Sequence, residues 1–180
     1  DSYLEGFYYK PRMDHETLER WSDGIIAING HLGSSIAYHL CKYVESGDDD
    51  HWNSAVKEAE WHAKTFSANK DGEPRFYIEL QRHDVPEQQA INPYLVKLAK
   101  ELGLPIVCDN DAHFLGEDDW DAHDTLCCIS MQKQKDDNER ITYSKDLYVK
   151  SPEQMADLFG DLPEAVENSA KIANRCHVDF

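Results

Sequence analysis

Positive charge is scarce in this chain. Its 180 residues carry 18 Lys and Arg against 35 Asp and Glu, a formal net charge of −17. A domain that grips duplex DNA by neutralising phosphates is basic, so this chain alone is expected to be repelled by a duplex. Long apolar runs are missing too, and none approaches the roughly 18 residues of a membrane span. The five cysteines, Cys41, Cys108, Cys127, Cys128 and Cys176, are odd in number and form no C-x-x-C. That argues against a disulfide scaffold and a zinc knuckle, and for reduced, mostly buried thiols in a cytoplasmic protein. Neither G-x-G-x-x-G nor a P-loop is present, which removes the commonest nucleotide-binding readings. The opening Asp1-Ser2-Tyr3 is neither basic nor apolar, so no secretory leader is expected. Without an initiator Met, the chain reads as a trimmed or interior piece.

What is there is globular. A, V, I, L, M, F, W, Y and C make up 41% of the residues, enough for one domain with a real core. The acidity reads first as a solvated surface. Asp48-Asp49-Asp50 and Glu117-Asp118-Asp119 are the local clusters that could attract cations.

The hydrophobic pattern alternates strand and helix. Ile25-Ile26-Ala27-Ile28 reads as a buried strand. Helices follow, one with Ile36, Leu40, Cys41 and Val44, the next with Trp52, Ala55, Val56, Ala59, Ala63 and Phe66 on one face. Arg75 to Gln81 alternates, with Phe76, Ile78 and Leu80 facing one way and Tyr77, Glu79 and Gln81 the other. A helix carrying Ile91, Leu95, Leu98, Ala99 and Leu102 ends at Gly103. It either begins near Pro93, with Asn92 as N-cap, or is kinked there. Pro105 to Cys108 is a strand candidate. A helix buried by Trp120, Ala122, Leu126 and Ile129 is expected next. Ser151-Pro152-Glu153-Gln154 starts another through a capping box, and a last helix carries Val166, Ala170, Ile172 and Ala173. This order implies parallel strands and βαβ units.

In such units functional residues gather past the carboxyl ends of strands. Those positions hold Asn29-Gly30-His31, Glu79 to His83, and Asp109 to His113. Strand parity puts Ala27, Asn29 and His31 on one face, with Ile26 and Ile28 packed outward. It also puts Asp109, Asp111 and His113 together if the extended chain persists. A carboxylate and an imidazole in Asp111-x-His113 could both reach a divalent cation, though D-x-H alone is a weak signal. His123 reads as a helix residue rather than a ligand.

Longer stretches, taken together, are specific. Leu4-Glu5-Gly6-Phe7-Tyr8-Tyr9-Lys10-Pro11-Arg12-Met13-Asp14, Asn29-Gly30-His31-Leu32-Gly33, Phe76 to Gln81, Leu104 to His113, Leu147 to Met155 and Pro163 to Asn168 occur in one order. In that order they resemble the later part of the PHP (polymerase and histidinol phosphatase) domain of bacterial DNA polymerase III alpha subunits. The resemblance implies an α/β fold, a partial distorted (β/α)7 barrel of the PHP type with a metal cluster at its mouth. Carried over by position, the metal ligands are His31, where many relatives have Cys, Asp111 and His113. Glu79 is expected to support the ligands from behind. The family's opening H-x-H motif has no counterpart, so residues 1–180 are expected to be the C-terminal part of the domain. They would lack its first strands and end near the junction with the polymerase domains.

Three functions follow as expectations. The first is a piece of a replicative polymerase whose PHP domain, when intact, is a metal-dependent phosphoesterase, a 3′–5′ exonuclease that proofreads, using zinc, manganese, iron or magnesium ions. The piece alone is expected to be inactive. The second is a catalytically inert module that supports the polymerase or docks a proofreading exonuclease subunit and other replisome subunits. The third is a stand-alone PHP phosphatase. The partner implied is DNA, met through the parent polymerase, and no membrane is expected.

Overall fold

The computed structural model describes residues 3–4, 6–67, 69 and 72–178. Both chain ends and Glu5 of the first signature lie outside the described residues.

Five strands and seven helices are formed among the described residues: β1 (Phe7–Tyr8), β2 (Lys10–Pro11), α1 (His15–Arg20), β3 (Ala27–Ile28), α2 (Ser35–Ser46), α3 (Asp49–Thr65), β4 (Phe76–Gln81), α4 (Pro86–Leu102), β5 (Ile106–Asp109), α5 (Trp120–Met131), α6 (Pro152–Leu158) and α7 (Pro163–Ala173). Strands β3, β4 and β5 make a parallel sheet in that order. The first signature forms a small antiparallel hairpin, β1 with β2, which periodicity did not announce.

The core lies between the sheet and the helices. Alternation along β4 sends Phe76, Ile78 and Leu80 into it. They meet Ile106 and Cys108 from β5, Leu40 from α2, Ala59 from α3 and Leu95 and Leu98 from α4. Ser34 caps α2 by accepting from the Ala37 N–H. Gly103 ends α4 at φ +65°, a conformation that costs glycine nothing. That helix starts at Pro86 and runs through Pro93, so Asn92 is not its cap. Asn92 instead donates to the Gln81 carbonyl at 2.8 Å and ties α4 to β4. The capping box at Ser151 and Gln154 opens α6 as the pattern indicates. Asn168 on α7 donates to the Ile106 carbonyl at 2.8 Å and covers part of the free edge of β5.

Three expectations are corrected. The first strand is shorter than its apolar run, and its parity is the reverse. Parallel register pairs Ala27 with Phe76 and Ile28 with Tyr77, so Ala27 turns to the core while Ile28 is 47% exposed. The face of α5 is also different. Leu126 and Ile129 are 65% and 69% exposed, because Asp124 and Cys128 fill the buried face. Asp124 lies there because the Arg140 guanidinium pairs with it at 2.5 and 3.1 Å. The acidic clusters serve as turn and cap chemistry. Asp48 accepts from the Asp50 N–H at the start of α3, and Asp119 accepts from Gly116 N–H in a 3₁₀ turn over Glu117–Asp119.

All five cysteines are free. Among the described residues, no helix is long and apolar enough to cross a membrane.

Candidate functional site

The carboxyl ends of β3, β4 and β5 lie side by side, and each carries polar side chains. Asn29 follows β3 and is buried. Its Oδ1 accepts from the Glu79 N–H at 2.5 Å, so a side chain continues the ladder where β3 stops. Its Nδ2 donates to the Gly30 carbonyl. His31 comes next and is exposed. A Cβ on Gly33 would stand 2.9 Å from His31 Cε1, so the ring occupies the space a side chain at 33 would need.

Along β4, Tyr77, Glu79 and Gln81 share the second face, and all are buried. Gln81 Nε2 donates to Glu79 Oε1 at 2.6 Å, and His83 Nε2 stands 2.9 Å from Gln81 Oε1. Burial pushes the Glu79 carboxyl above the usual carboxylate range. The Gln81 hydrogen bond opposes this, Asp109 adds to it, His31 opposes it and Asp111 adds to it. These interactions place Glu79 in one electrostatic neighbourhood with His31, Asp109 and Asp111. Burial pulls the His83 imidazole below its ordinary value, against the pull of Asp111, Asp84 and Asp146.

Beyond β5 the chain leaves the extended conformation. Asp111 sits at φ +49°, in the left-handed region, so the simple alternation from Asp109 to His113 does not hold. The turn brings Asp111 and His113 together by another route. His113 Nδ1 stands 2.6 Å from the Asp111 carbonyl oxygen and 3.9 Å from Asp111 Oδ1. Donation from Nδ1 to that carbonyl leaves Nε2 with a lone pair. The His113 N–H donates to Leu147 O at 2.7 Å, and its ring lies 4.5 Å from Tyr143 and 5.8 Å from His123. Asn110 is buried and donates through Nδ2 to the carbonyls of Asp146 and Tyr148. A bridge between Phe114 and Tyr148 closes this return.

Asp111 and His113 thus form a pair, Glu79 feels the charges of Asp109, His31 and Asp111, and His31 itself stays on the surface. Among the described residues, no group of three or more His, Cys, Asp or Glu stands ready to hold a metal ion. The donors suit a divalent cation in kind, carboxylate plus imidazole. His83 is the buried member that sequence reasoning located but gave no role. Its signal was parity, since 79, 81 and 83 continue the period-two face of β4.

Comparison with known proteins matches residues 1–83 to the PHP domain. The chain is 38% identical over 176 residues to the DNA polymerase III subunit alpha of Borreliella burgdorferi, covering 97% of this chain and 14% of that protein. It is 37% identical over 183 residues to that of Campylobacter jejuni, covering 99% of this chain and 15% of that protein. With the alpha subunit of Thermus aquaticus the identity is 36% over 186 residues, 99% of this chain and 14% of that one. The chain spans about one seventh of the length of these relatives. Across nearly all of its own length it resembles DNA polymerase III alpha subunits, and over residues 1–83 the PHP domain.

Proposed function

From that resemblance we propose that residues 1–180 are the C-terminal part of the PHP domain of a cytoplasmic replicative DNA polymerase. In this reading the three parallel strands are one side of a distorted (β/α)7 barrel. Their carboxyl ends form part of the mouth of a metal-dependent phosphoesterase site of the 3′–5′ exonuclease type. The observation that supports it is the Asp111–His113 pair at the end of β5, with one imidazole nitrogen tied to the Asp111 carbonyl. That tie fixes the ring and leaves Nε2 as the donor, the usual arrangement behind a metal-binding histidine.

His113 Nε2, the Asp111 carboxylate and His31 would hold divalent ions, zinc, manganese, iron or magnesium by donor chemistry. Bound there, such ions supply Lewis acidity that lowers the pKa of a coordinated water and offsets charge on a phosphodiester. Glu79 takes no part as a ligand; it is held on the second face of β4 by the Gln81 amide. DNA is met through the parent polymerase, where the other replisome subunits are also met. The 180 residues alone are inactive in this proposal, since three donors do not complete a cluster.

The test is metal content by mass spectrometry, after equilibration with Mn²⁺ or Zn²⁺, in the chain and in His113→Ala and Asp111→Asn. Substoichiometric metal lost in both variants is expected. Equal metal in all three removes the pair from the site. Robust digestion of a 3′-labelled primer by the 180 residues would overturn the proposed inactivity.

A second reading is an inert interaction module that supports the polymerase or docks a proofreading exonuclease subunit. The exposed Leu126 and Ile129 on α5 favour it. It predicts no metal retention and weaker association with partner subunits when both are changed to Ser.

A further inference from the structure

The chain Glu79–Gln81–His83 has two self-consistent proton arrangements. In the first, Gln81 Nε2 donates to a charged Glu79, and His83 Nε2–H donates to Gln81 Oε1. In the second the Gln81 amide is turned over. A protonated Glu79 then donates to the amide oxygen, the amide nitrogen donates to a bare His83 Nε2, and the His83 proton sits on Nδ1. The first orientation also accommodates a protonated Glu79 whose carbonyl oxygen accepts from Gln81, so the two arrangements differ in the orientation of the amide and the tautomer of His83 rather than in the charge of Glu79 alone.

The surroundings decide between them. His83 is 6% exposed, and its Nδ1 is buried with no hydrogen-bond partner. The second arrangement would place an N–H there with nothing to receive it. An orphaned buried donor is the rarer and costlier defect, whereas an imidazole lone pair left bare is tolerated. The heavy atoms are also held from outside the chain. Gln89 on α4 donates to the His83 carbonyl at 3.1 Å, Asn92 donates to the Gln81 carbonyl at 2.8 Å, and Asn29 accepts from the Glu79 N–H. Side chains at these three positions therefore meet at fixed separations.

We infer that His83 is a positioning residue: its Nε2–H pins the Gln81 amide so that the amide nitrogen faces Glu79 and donates to its Oε1 on the second face of β4. His83 acts through Gln81. The charged groups that act on Glu79 are Asp109 and Asp111, which disfavour its charge, and His31, which favours it. Against two carboxylates and burial, the Gln81 donor is the hydrogen bond that keeps Glu79 an acceptor. This inference goes beyond the metal reading and does not depend on it.

Two NMR measurements test it. In the full chain, ¹⁵N shifts of the His83 ring are expected to show protonated Nε2 and bare Nδ1; protonated Nδ1 overturns the inference without any variant. Side-chain ¹³C titration of Glu79 then compares the parent with His83→Phe and His83→Gln. Phe fills the space without a donor, and the Glu79 titration is expected to move up. Gln places an amide nitrogen near the position of Nε2, and the titration is expected to return toward the parent. Identical Glu79 titrations in parent and Phe variant overturn the inference. Metal content reads the Asp111–His113 site separately, so failure of one proposal is visible apart from the other.

Discussion

The carbonyl oxygen of Asp111 lies 2.6 Å from Nδ1 of His113, two residues along the chain. A residue in an extended strand could not make this bond to its second neighbour. It exists because Asp111 adopts φ +49°, which folds the chain back on itself and turns the D-x-H spacing into a local ring clamp.

Asp111 therefore has separable backbone and carboxylate roles. Asn tolerates the left-handed region and Val does not. Asp111→Asn is expected to keep stability within about 0.5 kcal/mol, while Asp111→Val loses about 1–3 kcal/mol through backbone strain. Urea unfolding of both variants checks this. Equal losses would mean the conformation at 111 is unstrained.

Arg82 makes a two-pronged pair with Asp161 and lies over the Phe159 ring at 4.7 Å. The pair lowers the Asp161 pKa from 3.8 to about 2. A folded-state pKa below the unfolded one gives stability that is present above the unfolded value. It is lost as pH falls through the folded value. The pair should thus support the fold fully above about pH 4 and fade toward pH 2. Asp161→Asn should lower the melting temperature at pH 6 and leave it unchanged below pH 2. A uniform effect across pH would rule out the charge as the cause.

Phe159 is fully buried at the end of α6. Phe159→Ala should cost about 3–5 kcal/mol, as large aromatic truncations in packed cores do. A loss under about 1 kcal/mol in chemical denaturation would show that the α6–α7 corner collapses freely around the gap.

Leu126 and Ile129 should behave oppositely. Their exposure predicts that Leu126→Ser and Ile129→Ser each change stability by no more than about 0.5 kcal/mol. Losses near 2 kcal/mol would restore the buried face that the sequence pattern alone suggested for α5.

Much of this architecture could be read from the residues. Alternation from Phe76 to Gln81 gave β4 its two faces, Gly103 ended α4, and Ser151 with Gln154 opened α6. The parity of β3 was not legible, since Ile25 to Ile28 is apolar throughout and only the pairing of Ala27 with Phe76 fixes which side faces the helices. The placement of α5 was hidden for another reason. Arg140 is sixteen residues from Asp124, and an ion pair over that separation lets a carboxylate take a position that periodicity reserves for leucine. Asp111 and His113 were named as candidates, and their mutual geometry depends on one backbone dihedral that spacing did not announce. His83 and Gln81 were both in view, and the hydrogen bond between them was not.

The bridge between Phe114 and Tyr148 has a bearing on how such a chain varies between lineages. It joins the two ends of the excursion that carries α5, so the sheet does not register how long the excursion is. Closing a longer loop over a sealed base costs little additional entropy. A change of length within residues 115–147 would thus cost little entropy where it spares Tyr143, Asp146 and Leu147, which hold the neighbouring pair in place.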